Sequence, residues 1–217
     1  MVCSLWLRAA VYAAGVEFRD VIARRRMVRA FTAEPLDPAV VDRLLAAANR
    51  APSAGFSQGY ALLALSAPDQ LATYWQTMRE SGSEANIDPA WERVARAPLV
   101  IVPLSCKQVY LDRYARPDKG WEDRDEARWP VPYWDIDTGF TALLMLLAAV
   151  DEGLGALFFG IQPQNIGRFR AAFGVPEQYK PIGAVAIGHP DPESDPGGSS
   201  RVIKRRALTD VVHRGHW

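Results

Sequence analysis

The stretch LLAAVDEGLGALFFG, Leu146–Gly160, holds the change of rhythm that decides the fold. Its first half continues an apolar run, Ile136–Asp151, with almost no polar face, and such a helix belongs buried at the centre of a domain. Gly153 interrupts it, and Leu154–Gly160 then reads as a short buried strand bracketed by glycines. Downstream, a helix around Gln164–Phe173 leads to a similar strand, Ile182–Gly188 (IGAVAIG). Upstream, Tyr60–Ser66 (YALLALS) and Pro98–Ser105 (PLVIVPLS) read as buried strands. Helices are expected over Glu17–Arg26, Pro68–Arg79 and Pro89–Arg96. Another starts at Asp37-Pro38, where Asp caps and Pro suits the first turn. Its apolar residues Val40, Val41, Leu44, Leu45 and Ala48 recur at helical spacing until Arg50, before Pro52. Strands interspersed with helices give an α/β or α+β class.

The 217 residues carry 25 Lys+Arg against 25 Asp+Glu. A zero net charge argues against a nucleic-acid binder and against a binder of anionic membranes, both of which need a basic excess. A hydrophobic fraction of 49% is too high for a disordered chain and ample for one core. Cys3 and Cys106 form neither a disulfide framework nor a zinc spacing, and the three histidines all follow residue 188, so no metal site is expected. Residues 1–15 (MVCSLWLRAAVYAAG) make a poor secretory signal, because Arg8 interrupts the apolar run and no basic cluster precedes it. They are read as an extension ahead of a single domain over 16–217, starting near Val16–Glu17. The longest later apolar stretch, Phe140–Val150, is too short to span a bilayer, and a cytoplasmic location is expected.

Four features could carry chemistry. Arg24–Arg29 (RRRMVR) packs guanidiniums into an apolar frame; if the run is helical, Arg25 and Arg29 repel across one turn. A planar guanidinium fork suits phosphate oxygens, although a solvated basic face accounts for such a run equally well. Ala51–Gln58 (APSAGFSQ) follows a helix with small residues that let a flat ring approach the backbone. Ser53 and Gln58 add polar contacts, while a routine turn is the blander reading. Gly153–Gly160 lacks dinucleotide-binding spacing; it is either a core strand or a backbone wall along a ring system. Arg201, Lys204, Arg205 and Arg206 form a second basic group or a solvated tail. Asp135 and Asp137 stand at an expected helix start, where capping accounts for them.

In this order and at these separations, RRMVRAF (Arg25–Phe31), APSAGFSQ, LLAAVDEGLGALFFG, AIGHP (Ala186–Pro190) and KRRALTDVVH (Lys204–His213) resemble the FMN-dependent nitroreductase family. The resemblance runs from about residue 17 to the end. It implies an α+β fold with a central, mostly antiparallel sheet flanked by helices, and an entwined homodimer with FMN at the subunit interface. It places Arg25, Arg26 and the Met27 backbone on the FMN phosphate and ribityl chain, and Arg29 toward the flavin N1–C2=O edge. Pro52, Ser53, Ala54 and Gly55 would meet the isoalloxazine, with Phe56 and Gln58 at its border, at least one of them from the partner chain. Leu157, Phe158 and Gly160 would line the opposite side, and Lys204 and Arg206 would close on the phosphate. The chain departs from the family at Met27, where Ser is frequent, at Phe56, where Asn is common, at Ser57, where an apolar residue is, and at Gly59-Tyr60, where Pro-Trp often stands.

The implied activity is hydride transfer from NAD(P)H through the flavin to nitroaromatics, quinones or similar electron-poor acceptors, in a ping-pong cycle that needs no side-chain nucleophile. Alternatives are a protein that holds FMN with little turnover, and a dehalogenase-like or flavin-fragmenting reductase on the same fold. Residues 107–134, rich in aromatics, charges and prolines, read as an excursion; Trp121, Trp129 and Tyr133 are its candidates for a substrate cover, with dimer packing as the other reading.

Overall fold

The computed structural model describes residues 17–79 and 89–217. The expectation for residues 1–15 lies outside them, as does Cys3. The helices are α1 (Phe18–Arg24), α2 (Pro38–Ala48), α3 (Pro68–Thr77), α4 (Pro89–Ala95), α5 (Lys107–Tyr114), α6 (Tyr133–Asp151) and α7 (Pro163–Phe173). The strands are β1 (Tyr60–Leu65), β2 (Leu99–Ser105), β3 (Gly155–Phe159), β4 (Lys180–Pro181) and β5 (Ala184–Gly188). They form one sheet in the order β1-β2-β5-β3, with β4 also on β2, and every ladder is antiparallel. This is the α+β arrangement expected.

The sheet divides two apolar layers, and strand alternation does the dividing. Val100, Val102 and Leu104 of β2 point into a cluster with Phe31, Tyr74, Trp75 and Phe169. Leu99 and Ile101 point the other way, toward Leu44 and Ala48 of α2 and Ala142, Met145, Leu146 and Ala149 of α6. All seven residues of β2 are buried, which is why it reads as a continuous apolar run rather than an alternating one. The cap on α2 is the one expected: Asp37 Oδ1 accepts from the Ala39 N–H at 2.8 Å.

Four sequence expectations are corrected. First, α6 is not buried all round. Ile136, Phe140 and Leu143 stand exposed with Tyr133 along one face, while Met145, Leu146 and Ala149 are in the core. The helix is long and apolar enough to cross a membrane, yet half of it is buried inside the domain. Second, the segment 107–134 is not irregular throughout: α5 opens it and α6 begins at its end. Third, β1 is an edge strand, half-buried except at Leu65. Fourth, the Arg24–Arg29 run is not helical. Helix α1 ends at Arg24, so Arg25 and Arg29 share no helix face.

Candidate functional site

Beyond α1 the chain straightens and joins the sheet edge. Met27 bridges Ala156 of β3 in parallel, the Val28 N–H donates to the Ala156 carbonyl at 3.0 Å, and Phe31 bridges Pro190. The approach is close: a Cβ on Gly155 would stand 2.8 Å from Val28 Cγ2, so only glycine fits there. The apolar residues Val28, Ala30 and Phe31 are buried, while Arg29 between them is half-buried. Arg29 Nη1 donates to the Met27 carbonyl at 3.2 Å.

The second basic group comes from the other end of the chain. Its approach is anchored by buried Asp195, which accepts from the Gly197 N–H at 2.8 Å. Gly198 then lies against Arg29, where a Cβ would stand 2.4 Å from Nη1. The approach to the second basic group thus packs against Arg29 of the first. Lys204 and Arg206 are exposed on the tail beyond this point, and Arg206 donates to the Asp210 carbonyl. Among the described residues, no cation of Arg24–Arg29 or Arg201–Arg206 forms an ion pair with a carboxylate.

The Ala51–Gln58 stretch is a built loop rather than a routine turn. Gly55, Phe56 and Gln58 all have positive φ, near +59°, +53° and +53°. For Phe56 and Gln58 that backbone is costly, and it persists only because neighbours over-determine it. The Ala54 N–H donates to Asp137 Oδ2 at 2.8 Å, Arg113 Nε to the Gly55 carbonyl at 2.9 Å, and the Gln58 N–H to Ser53 Oγ at 2.9 Å. Tyr114 closes one side, 2.7 Å from where a Gly55 Cβ would be. The result displays the Phe56 ring, 72% exposed, beside Gln58. Pro52 is exposed at the loop's start, and Ser53 and Ala54 are half-buried.

Asp137 is the buried support of this loop. Besides the Ala54 N–H it accepts the Tyr110 hydroxyl at 2.8 Å. Burial, and then this hydrogen bond, push the Tyr110 phenol's ionisation well up, so it stays a donor. Capping is therefore not what Asp137 does. Nor is it the role of Asp135, which accepts from Ser105 Oγ and from Lys180 Nζ, each at 2.6 Å. The helix begins two residues earlier than Asp135, which frees both carboxylates for distant partners. Asp137, Tyr110 and Arg113 were invisible as site residues in the sequence; the only trace was a carboxylate inside an otherwise apolar helix.

Between this loop and α5 lies a cleft of about 490 Å³, lined among others by Phe56, Gln58, Val109, Asp112, Arg113 and Arg116. On the opposite strand, Leu157 commits its side chain to the core, Phe158 is half-buried, and Gly160 is exposed just past β3. Trp121, Trp129 and Tyr133 do come together, but on one another: Trp129 lies 4.5–6.0 Å from Tyr110, Tyr114, Trp121, Tyr133 and Trp134. Among the described residues, no group of His, Cys, Asp or Glu is placed to hold a metal.

Comparison with known proteins gives the chain relatives in sequence and in fold. An Archaeoglobus fulgidus protein named as a NADH dehydrogenase/NAD(P)H nitroreductase is 24% identical over 203 residues, 93% of this chain and 99% of that one. An NADPH-dependent oxidoreductase of Staphylococcus aureus is 22% identical, over 91% of this chain and 73% of its own. A protein of Exiguobacterium sibiricum solved in complex with FMN superposes with a TM-score of 0.68 at 17% identity, covering 91% of this chain and 97% of that chain. The nitroreductase family model matches residues 22–189, from α1 to the end of β5, and the chain belongs to that family.

Proposed function

We propose that the protein is an FMN-dependent NAD(P)H oxidoreductase that acts as a homodimer on nitroaromatics, quinones or similar acceptors. The observation that carries this is that two basic groups from opposite ends of the chain both lack carboxylate partners among the described residues, with Arg29 of one packed against Gly198 on the approach to the other; the strained loop of small residues adds to it. The residues fit FMN. A phosphate dianion supplies the missing counter-charge for Arg25, Arg26, Lys204 and Arg206, and guanidiniums bind it through charge-assisted hydrogen bonds. The small side chains of Ser53 and Ala54 suit the close approach of a flat ring, while Gly55 is packed against Tyr114. The positive charge of Arg29 favours the electron-rich form of a ring placed beside it.

Bound FMN supplies a two-electron relay between donor and acceptor. The first nitro reduction balances as R–NO2 + NAD(P)H + H+ giving R–NO + NAD(P)+ + H2O. The protein's part is to hold the cofactor, to set its field and to admit donor and acceptor in turn to one place. No side chain acts as nucleophile.

Exposed apolar surface supports the dimer. Phe18 and Ile22 of α1, Ile136, Phe140 and Leu143 of α6, and Val202, Ile203, Leu208 and Trp217 of the tail all face outward in one chain. So much apolar area on a single subunit calls for a partner, and a second copy matches the family. Sedimentation should give a dimer, and Phe140→Glu should give monomers that lose FMN.

The purified protein should be yellow and release FMN on heating. It should oxidise NADH or NADPH with a naphthoquinone or a nitrobenzene, giving parallel double-reciprocal lines. Intersecting lines would reject a shared place for donor and acceptor. A colourless protein that ignores added FMN would remove the proposal, and a yellow one without turnover would favour FMN storage.

A further inference from the structure

The segment 107–134 contains six cations: Lys107, Arg113, Arg116, Lys119, Arg124 and Arg128. Five have partners. Lys107 meets Glu126 at 2.5 Å, Arg113 meets Asp118 at 2.7 Å, Arg124 meets Asp112 at 2.8 Å and Arg128 meets Asp123 at 2.6 Å. Lys119 sits 5.2 Å over the Tyr114 ring. Arg116 has no side-chain partner among the described residues, and it lines the cleft beside Phe56 together with the paired Arg113.

The other charges in the cleft cancel. Asp112 is matched by Arg124, and Arg113 by Asp118. What remains is one guanidinium, one displayed aromatic ring, the Gln58 amide and the apolar side of Val109. Loops seldom hold an exposed Phe at positive φ without a use for it, and this one is held there from three sides. The cleft volume lies inside the usual range for small-molecule sites, about 300–1,000 Å³.

We propose that this cleft seats the electron acceptor, and that the acceptor is a flat aromatic bearing an anionic substituent. Its ring stacks on Phe56 and its carboxylate or similar anion meets Arg116. The inference rests on the oxidoreductase reading and narrows its acceptors to an acidic class. A guanidinium pairs with a carboxylate through two parallel hydrogen bonds, which an uncharged isostere cannot match. An anionic group on the nicotinamide donor would suit the same guanidinium, so donor and acceptor are tested apart.

The test compares 4-nitrobenzoate with 4-nitrobenzamide, using the FMN-loaded protein and fixed NADH. The ratio of their kcat/KM values, taken in wild type, Arg116→Lys and Arg116→Ala, removes the intrinsic difference in reactivity. Arg116→Ala should lower the acid-to-amide ratio about tenfold, through KM for the acid, while Arg116→Lys keeps part of it. Arg116 is exposed, so melting temperature and bound FMN should not change. An unchanged ratio would overturn the proposal. So would a change confined to the NADPH-over-NADH preference, which would assign Arg116 to the donor. If neither acceptor turns over, the oxidoreductase reading fails. Calorimetric titration with 4-nitrobenzoate still decides the cleft: about tenfold weaker binding in Arg116→Ala supports it, and equal binding overturns it.

Discussion

The basic ends of the chain and the segment 107–134 use the same residue types in opposite ways. In the segment, positive side chains meet carboxylates of the same stretch: Arg113 with Asp118 and Arg128 with Asp123, each five residues apart, and Arg124 with Asp112, twelve apart. These charges are spent on folding a compact excursion around Trp129. At the ends, Arg29 packs against Gly198 on the approach to Arg201–Arg206, and neither Arg24–Arg29 nor Arg201–Arg206 pairs with a carboxylate among the described residues. Charges neutralised so thoroughly in one place and left bare in another fit the proposal that the basic ends bind an anion. The comparison also singles out Arg116, which sits in the paired segment but behaves like the bare ends.

The sharpest way to break the contrast is to remove cations from each region separately. Arg25→Ala combined with Arg29→Ala should weaken FMN binding about a hundredfold or more, since hydrogen bonds to a charged group contribute about 1.5–3 kcal/mol each. The melting temperature of the flavin-free protein should hardly move. Arg124→Ala should leave FMN affinity as it was. Equilibrium dialysis of the three proteins against FMN settles the matter; an equal loss in Arg124→Ala would erase the distinction between the regions.

A smaller effect is expected where the two regions are joined. Asp137 ties the Ala54 loop to Tyr110 of α5, so it links the loop to the helix that opens the excursion. Asp137→Ala leaves a half-buried N–H and a buried hydroxyl without their acceptor, at a cost of about 2–4 kcal/mol in urea unfolding. Asp137→Asn keeps an amide oxygen for one of them and should cost less. If the loop's conformation matters to FMN, the Asn variant should bind it more weakly at nearly normal stability, whereas Arg124→Ala should not.

Much of the fold was legible because burial leaves a pattern. PLVIVPLS and IGAVAIG are continuous apolar runs, and both are strands buried on two faces. The Asp37-Pro38 start was legible because a cap is local chemistry. Helix α6 was misread because sequence shows only that residues are apolar, not which apolar face the same chain can cover. Helix α5 shows no helical period in the sequence because its apolar residues Val109, Tyr110 and Leu111 are consecutive, with charged or polar residues on both sides. Strand β4 has two residues, too few for any period. In the site, the arginine run and the small-residue loop stood out, but their supports did not. Asp137 looked like a cap because nothing in the sequence could place Ala54, 83 residues away, beside it.

The least effect, and the finest test of the comparison, is in acid. Hydrogen bonds from Arg113 and Arg128 hold the Asp118 and Asp123 carboxyls below their ordinary value of 3.8. A folded-state value below the unfolded one means that these pairs add stability above the unfolded value and lose it as pH falls through the folded one. The excursion should therefore be indifferent to pH from 5 to 8 and loosen only below about 4. Both carboxylates are exposed, so the change should be local and small rather than a global unfolding. Tryptophan emission from the Trp121–Trp129 cluster should shift in that acid range. Asp118→Asn with Asp123→Asn should show at pH 7 part of what wild type shows at pH 3, with FMN affinity intact at pH 7. A shift near pH 6 instead would mean that the cluster reports on a phosphate or a histidine, and that the two regions are not electrostatically separate.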